Sequence, residues 1–252
     1  MVNLQELKKI CQPEEITSRV VERWYGRFYR KIDLRVTWLL LHFKKITPNM
    51  VTAFNLLWCS LGGFLILLPG IWGPLLFFLV FQLWVILDGV DGEIARYKKM
   101  KTLSGPYLDL LAHRLVYVGL FVPLGIKIYF LTGQLFFIGL GLATAILALL
   151  VEAARYCEVV VLYKRNIRSA EAGESKKEGG IFLAFYRGLI GPMEISTLAV
   201  VAILTRPFFV HQFKYFWEIF FGFYLLLFVV SFVYHTLTVK HRLDASRPGM
   251  SR

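Results

Sequence analysis

The hydrophobic pattern of the chain consists of six apolar runs separated by short polar or glycine-containing segments. Each run has about 20 residues or more, the length that an α-helix needs to cross a bilayer. The predicted spans are 49–68, 72–95, 105–131, 134–163, 181–205 and 215–239. The pattern therefore predicts an all-α integral membrane protein with six transmembrane helices.

The segments around these spans indicate one membrane domain. The connections 69–70 and 132–133 are short uncharged turns, and no internal repeat divides the apolar part of the chain. We expect a juxtamembrane segment over 1–47, a six-helix membrane domain over 48–240 and a basic tail over 241–252.

The segment before the first span is amphipathic. Between Glu14 and Tyr29, apolar residues recur at every fourth position with basic residues between them (Ile16, Val20, Trp24 and Phe28). This spacing predicts a helix that lies in the membrane interface, with its apolar face in lipid and its basic face toward phosphates. A helix packed on the protein's own surface fits the same pattern. The stretch Val36–Phe43 is apolar but too short to cross the membrane.

Basic residues alternate between the two sides of the predicted bundle. The first 47 residues, the turn 96–103, the loop 164–180 and the tail from Lys240 carry 23 Lys or Arg, whereas the opposite connections carry two. The positive-inside rule therefore places both termini in the cytoplasm, and we expect a bacterial inner membrane or an equivalent one. The net charge of +12 is explained by anionic membrane lipids rather than by nucleic acid.

Ionisable side chains in the second and third spans form the candidate site. Asp88 and His113 each lie eight residues from the cytoplasmic end of their span, about 12 Å along a helix. In an antiparallel hairpin, two residues face each other when their numbers add up to a nearly constant sum. This rule pairs Asp88 with His113 and Asp91 with Asp109. Ionisable groups at membrane depth are costly and indicate function.

The residue types in this hairpin indicate phosphate chemistry. Clustered carboxylates repel one another unless a cation joins them, and oxygen ligands select hard divalent cations such as Mg²⁺ or Mn²⁺. Arg96 adds a fixed positive charge suited to phosphate oxygens. The combination predicts transfer of a phosphate-linked lipid group. Two alternatives are a buried charge network that only holds the helices together and a proton or cation pathway.

The stretch from Asp88 to His113 resembles the signature of the CDP-alcohol phosphotransferases. That signature reads D-x-x-D-G-x-x-A-R, eight residues, G, three residues, D, three residues, D. Seven positions match it: Asp88, Asp91, Gly92, Ala95, Arg96, Gly105 and Asp109. The resemblance covers about residues 40–240 and includes the Pro-Asn-x-x-Thr start of the first span (Pro48, Asn49 and Thr52).

The resemblance implies an enzyme of phospholipid biosynthesis. A CDP-linked donor, often CDP-diacylglycerol, would lose CMP as an acceptor hydroxyl attacks its β-phosphorus, with two divalent cations at the pyrophosphate. Asp88, Asp91 and Asp109 would be metal ligands. The donor would be bound by Gly92, Ala95, Arg96 and Gly105, with Gly92 and Ala95 leaving room for the cytidine. The family often forms homodimers, which makes a homodimer a candidate assembly.

His113 departs from the family pattern, which has a fourth aspartate at this position, a ligand of the second metal and the proposed base. His113 could remain the general base, because imidazole suits proton abstraction near neutral pH. It could instead ligate a metal, which would favour Mn²⁺ or Zn²⁺ over Mg²⁺. A third interpretation is a catalytically degenerate member that binds CDP-lipid or acts as a membrane scaffold.

Three arginines are candidates for an acceptor pocket. Arg155 lies in the cytoplasmic half of the fourth span, Arg165 begins the following loop, and Arg187 lies seven residues into the fifth span. Together they could bind a phosphorylated acceptor. An ion pair for Arg155 and topology or snorkelling roles for the other two are the alternatives.

Overall fold

The computed structural model describes residues 3–13, 26–100, 102, 104–164, 192–205 and 215–245. These parts contain α-helices and no β-strand. The helices are α1 (Leu4–Cys11), α2 (Gly26–Leu41), α3 (Pro48–Gly62), α4 (Trp72–Lys98), α5 (Ser104–Thr132), α6 (Phe136–Lys164), α7 (Pro192–Thr205) and α8 (Phe216–Ala245). A 3₁₀ helix, Gly63–Leu67, continues α3.

Five segments in the described parts are long and apolar enough, by length and composition, to cross a membrane. They are Pro48–Leu67, Trp72–Lys98, Ser104–Thr132, Phe136–Ala154 and Phe216–Val239. A shorter apolar helix, Ile195–Thr205, lies within the predicted fifth span, whose residues 181–191 are outside the described parts. The prediction of an all-α integral membrane protein is confirmed, and the sixth crossing stays a prediction.

Local sequence signals set the ends of several helices. Thr47 caps α3, with its side chain accepting a backbone N–H, and Pro48 occupies the first turn, where its missing N–H costs nothing. Helix α4 ends at Lys99, which has a left-handed φ of 55°. Gly70 and Gly133 have φ values of 65° and 75°, so the two uncharged turns use the residue that adopts this conformation without strain.

Helix α5 packs against α3, α6, α7 and the 3₁₀ helix, and α4 packs against α1, α2, α3 and α7. Small residues allow the closest approaches. A Cβ atom at Gly63 would collide with the carbonyl oxygen of Gly119 on α5, and one at Gly125 would lie 2.6 Å from the carbonyl oxygen of Phe137 on α6. Such contacts between small residues are typical of helix packing in membranes.

Helix α2 runs alongside the second half of α4 and in the same direction. Three contacts, in matching order along both helices, fix this register: Tyr29 with Gln82, Asp33 with Gly89, and Thr37 with Glu93. Apolar residues of α2 and α4, among them Val36 and Val90, pack beside this polar row. Residues 14–25 of the predicted interfacial helix lie outside the described parts.

Candidate active site

Helices α4 and α5 bring Asp88, Asp109 and His113 together. His113 Nε2 lies 3.0 Å from Asp88 Oδ1 and 3.6 Å from Asp109 Oδ1. The three side chains are between 35% and 43% exposed, so a ligand can reach them. The structure therefore agrees with the prediction that Asp88 and His113 face each other across the hairpin.

This cluster has the composition of a divalent-cation site. One ligand atom from each of Asp88, Asp109 and His113 lies within 4.8 Å of the other two, and no other His, Cys or carboxylate group in the described parts converges in this way. Two carboxylate oxygens with an imidazole nitrogen suit Mn²⁺ or Zn²⁺ better than an all-oxygen set does. The rings of Trp84 and His113 pack at nearly a right angle, with their centroids 5.3 Å apart.

Asp91 is held by α3 rather than by this cluster. Thr52 Oγ1 donates a hydrogen bond of 2.6 Å to Asp91 Oδ2, and Thr52 is buried. Asp91 lies three residues beyond Asp88 on α4, slightly less than one helical turn away. The sequence indicated Thr52 only as part of the start of the first span, so its contact with a motif carboxyl group is a finding of the structure.

Arg96 is anchored to the N-terminal helix. Its Nε donates a hydrogen bond of 2.7 Å to the carbonyl oxygen of Cys11, the last residue of α1. Its two Nη atoms lie over Gly92, where an added Cβ would be 3.3 and 3.7 Å from them. Gly92 therefore leaves space for this guanidinium. Ala95 is half-buried, one turn beyond Asp91.

Gly105 lies in the turn that begins α5. Its N–H donates to Thr102 Oγ1 at 3.2 Å, and the Thr102 hydroxyl donates to Asn49 Oδ1 at 3.2 Å. Asn49 also donates from Nδ2 to Ser104 Oγ at 2.8 Å. The polar start of α3 thus fixes the start of α5, which sets the level of Asp109 and His113.

Two buried carboxyl groups near the site were missed by the sequence reasoning. Glu93 is fully buried between Gly92 and Arg96, and Asp33 of α2 packs against the backbone of Gly89. Burial, strengthened by the charge of Glu93, raises the pKa of Asp33 to about 8. The polar side chains at every fourth position of α2, including Asp33, were the available signal, but they do not show which helix they face.

The predicted acceptor arginines are not brought together by the described parts. Arg155 lies in α6, but its side chain is not among the described parts. Arg165 and Arg187 lie outside the described parts. A different arginine, Arg114, lies directly after His113, with its guanidinium carbon 4.8 Å from the ring centroid of Tyr156 on α6. This cation–π contact places a positive charge near the site.

The helices define an integral membrane protein, and the cluster of Asp88, Asp109 and His113 lies between two of its candidate spans. Residues 45–222 match the family model described as CDP-alcohol phosphatidyltransferase. The chain belongs to this family, and the predicted resemblance to it is confirmed. The family is generally dependent on divalent cations, in agreement with the chemistry of the cluster.

Two relatives match part of the chain. A protein of Aquifex aeolicus (strain VF5), named only as uncharacterized, is 33% identical over 81 residues, which cover 32% of this chain and 40% of that protein. The bifunctional IPC transferase and DIPP synthase of Thermococcus kodakarensis is 36% identical over 89 residues, covering 34% of this chain and 19% of that protein. The chain thus spans less than half the length of either relative.

Proposed function

We propose that this protein transfers a substituted phosphate from CDP-diacylglycerol to an acceptor hydroxyl and releases CMP. The observation that carries the proposal is the convergence of His113 Nε2 with Asp88 and Asp109, within the part of the chain that matches the family. The acceptor oxygen forms a bond to the β-phosphorus, and the bond from that phosphorus to the CMP oxygen breaks. The transferase named among the relatives supports this reaction class.

We further propose that Asp88, Asp109 and His113 hold the divalent cation, with Asp91 as an additional ligand on the α3 side. When bound, Mg²⁺ or Mn²⁺ supplies the positive charge that neutralises the donor pyrophosphate and helps CMP leave. The imidazole nitrogen favours Mn²⁺.

The remaining residues are assigned to the two substrates. Arg96, Gly92, Ala95 and Gly105 bind the donor, because they lie on the cytoplasmic side of the cluster in the predicted topology. Arg155, Arg165 and Arg187 bind a phosphorylated acceptor. Both termini face the cytoplasm of a bacterial inner membrane or an equivalent one, which gives the site access to a soluble acceptor.

The test is CMP release from CDP-diacylglycerol in nanodiscs, with phosphorylated and unphosphorylated polyols as acceptors. We expect release by the wild type, release by His113→Asp, and a loss of at least about 100-fold in His113→Ala. Equal inactivity of the wild type and His113→Ala, with donor binding intact, would overturn the transferase and indicate a degenerate member that binds CDP-lipid.

The same variants separate the two catalytic roles of His113. If His113 is a cation ligand, we expect His113→Asp to shift the preferred ion from Mn²⁺ toward Mg²⁺. If His113 is instead the base that takes the acceptor's proton, we expect an unchanged ion preference. The pH–rate profile should then change when imidazole is replaced by carboxylate. The first result supports the assignment made above, and the second replaces it.

A further inference from the structure

The proposed reaction does not use Glu93, although this side chain is fully buried in the motif helix α4. Its carboxyl group contacts three residues of the N-terminal region. Gln12 Nε2 donates to Oε1 at 2.6 Å, and Thr37 Oγ1 donates to Oε2 at 2.7 Å. Arg30 Nη1 lies 3.9 Å from Oε1. Both carboxyl oxygens are therefore bound by groups outside α4.

A buried carboxyl group is costly unless such partners satisfy it. The partners here come from α2 and from the residue that follows α1, and all of them precede residue 45, where the match to the family begins. Gln12 Nε2 also donates to the carbonyl oxygen of Arg30 at 2.7 Å. One amide thus links α2, the end of α1 and the motif helix.

The end of α1 makes a second connection to the motif. Cys11 Sγ donates to the carbonyl oxygen of Glu93 at 3.4 Å, while the carbonyl oxygen of Cys11 accepts the 2.7 Å hydrogen bond from Arg96 Nε. That bond fixes one edge of the guanidinium and leaves the Nη atoms over Gly92. Glu93 is therefore connected to Arg96 by hydrogen bonds that both residues make with the end of α1.

We propose that Glu93 is a positioning residue for Arg96. It docks α1 on α4 through Gln12, and the docked Cys11 carbonyl holds the guanidinium in the direction needed to bind the donor phosphates. The docking follows from the contacts alone, and the effect on the donor rests on the proposed function. The matched family region would then depend on an N-terminal segment outside it.

The three native cysteines provide a direct test of the docking. Cys11 and Cys59 are both buried and Cys157 is exposed. Burial, together with the charge of Glu93, raises the pKa of the Cys11 thiol to about 11, which slows alkylation because the thiolate is the reactive form. Labelling with N-ethylmaleimide, read at each cysteine by peptide mass spectrometry, therefore reports docking at Cys11, global unfolding at Cys59 and reagent activity at Cys157.

We expect Glu93→Gln to raise the labelling rate of Cys11 by at least about tenfold and to leave Cys59 unchanged. Thr37→Val, which removes one hydrogen bond but keeps the carboxyl group, should give a smaller rise. Glu6→Gln is the matched control, because Glu6 lies exposed on α1. Unchanged labelling of Cys11 in Thr37→Val would overturn the docking, because a rise in Glu93→Gln alone follows from the lost charge, which by itself lowers the pKa of the Cys11 thiol.

The effect on Arg96 is tested by a double-mutant cycle on donor binding. In nanodiscs with Mn²⁺, we expect Glu93→Gln to weaken CDP-diacylglycerol binding about tenfold and to add less than about twofold when Arg96→Lys is already present. Equal losses in both backgrounds would overturn the positioning role and leave Glu93 as a docking residue. A wild type that binds no CDP-diacylglycerol would overturn the proposed function, while the cysteine labelling still reads the docking.

Discussion

The hydrogen bond between Thr52 and Asp91 shows how one residue of α3 acts on the motif of α4. Thr52 is buried, and its hydroxyl oxygen is 2.6 Å from Asp91 Oδ2 and 3.2 Å from the carbonyl oxygen of Pro48. The hydroxyl therefore lies between its own helix and the carboxyl group. Removal of the hydroxyl leaves a half-buried carboxyl oxygen without its donor, which costs more than the average hydrogen bond contributes.

We predict that Thr52→Val lowers the rate of CMP release by about tenfold or more, the factor that corresponds to losing a hydrogen bond to a charged group. The assay is the one described for His113. Thr144→Val is the control, because Thr144 is also buried and, among the described residues, its hydroxyl bonds only the Leu140 carbonyl oxygen of its own helix. Equal losses in the two variants would contradict a specific role for Thr52.

Asp33 predicts a pH dependence of stability. Its pKa is raised from 3.8 to about 8 by burial and by the charges of Glu93 and Asp88, against the opposing charge of Arg30. The folded protein then keeps a proton that the unfolded chain has released, so the free energy of unfolding falls as the pH rises from about 4 through about 8. Asp33 Oδ1 also has no hydrogen-bond partner among the described residues.

We therefore predict that Asp33→Asn flattens the decline of the thermal midpoint between about pH 5.5 and about pH 8.5. The measurement is thermal unfolding in detergent across this range, with Glu6→Gln as the control for a change of one charge. A decline of the same slope in wild type and Asp33→Asn would show that Asp33 does not hold a proton in the folded protein.

The sequence predicted part of this residue-scale picture. The facing of Asp88 and His113 followed from spacing alone, because a short turn between two apolar runs forces an antiparallel hairpin. The burial of Glu93 did not follow, because its partners are Thr37 of α2 and Gln12, which follows α1, and the position of both helices against α4 is set by tertiary packing. Without that packing, an acidic residue between two motif positions is predicted to be exposed.

Helix boundaries were predicted closely wherever an apolar run ended at a turn residue. The expected span 105–131 is Ser104–Thr132 in the structure, and 72–95 is part of Trp72–Lys98. The docking of α2 on α4 was not predictable, because an amphipathic pattern shows that one face is apolar without showing whether lipid or protein covers it. Contacts such as that between Asp33 and Gly89 place the polar row of α2 against α4, whereas Phe28 of the predicted apolar face is exposed.

The crossing of α3 and α5 predicts a clear stability difference between glycines. A Cβ at Gly119 would collide with the carbonyl oxygen of Cys59, whereas one at Gly139 would meet nothing within 4 Å. We expect Gly119→Ala to lower stability by about 1–3 kcal/mol or more, since a backbone carbonyl cannot move aside as a side chain can. Gly139→Ala should be neutral or stabilising, since alanine favours the helix.

Thermal unfolding in detergent measures both variants. Gly119 lies six residues beyond His113 on the same helix. Its crossing with α3 therefore also sets the depth of His113. If Gly119→Ala is as stable as Gly139→Ala, the two helices do not approach as closely as the structure shows.

At the scale of the whole molecule, the membrane topology decides which side of the membrane supplies the acceptor. Five candidate spans lie in the described parts, and Pro192–Thr205 belongs to the predicted span 181–205, which would bring the number of crossings to six. An even number of crossings puts both termini on the side of the basic turn after α4. An odd number would separate the C-terminus from that turn, so the position of the C-terminus distinguishes the two cases.

We predict six crossings, with Lys- and Arg-rich segments in the cytoplasm. Single cysteines would be placed at Met100, at Gln134 and after Arg252, in a chain whose native cysteines are replaced by alanine; Met100 and Gln134 are exposed. A membrane-impermeant maleimide should label Gln134→Cys in intact cells and the other two sites only after permeabilisation. Labelling of the C-terminal cysteine from outside, with Met100→Cys protected, would instead establish five crossings and separate the tail from the site. The site itself would stay with Met100, because the Asp88–His113 hairpin turns on that side.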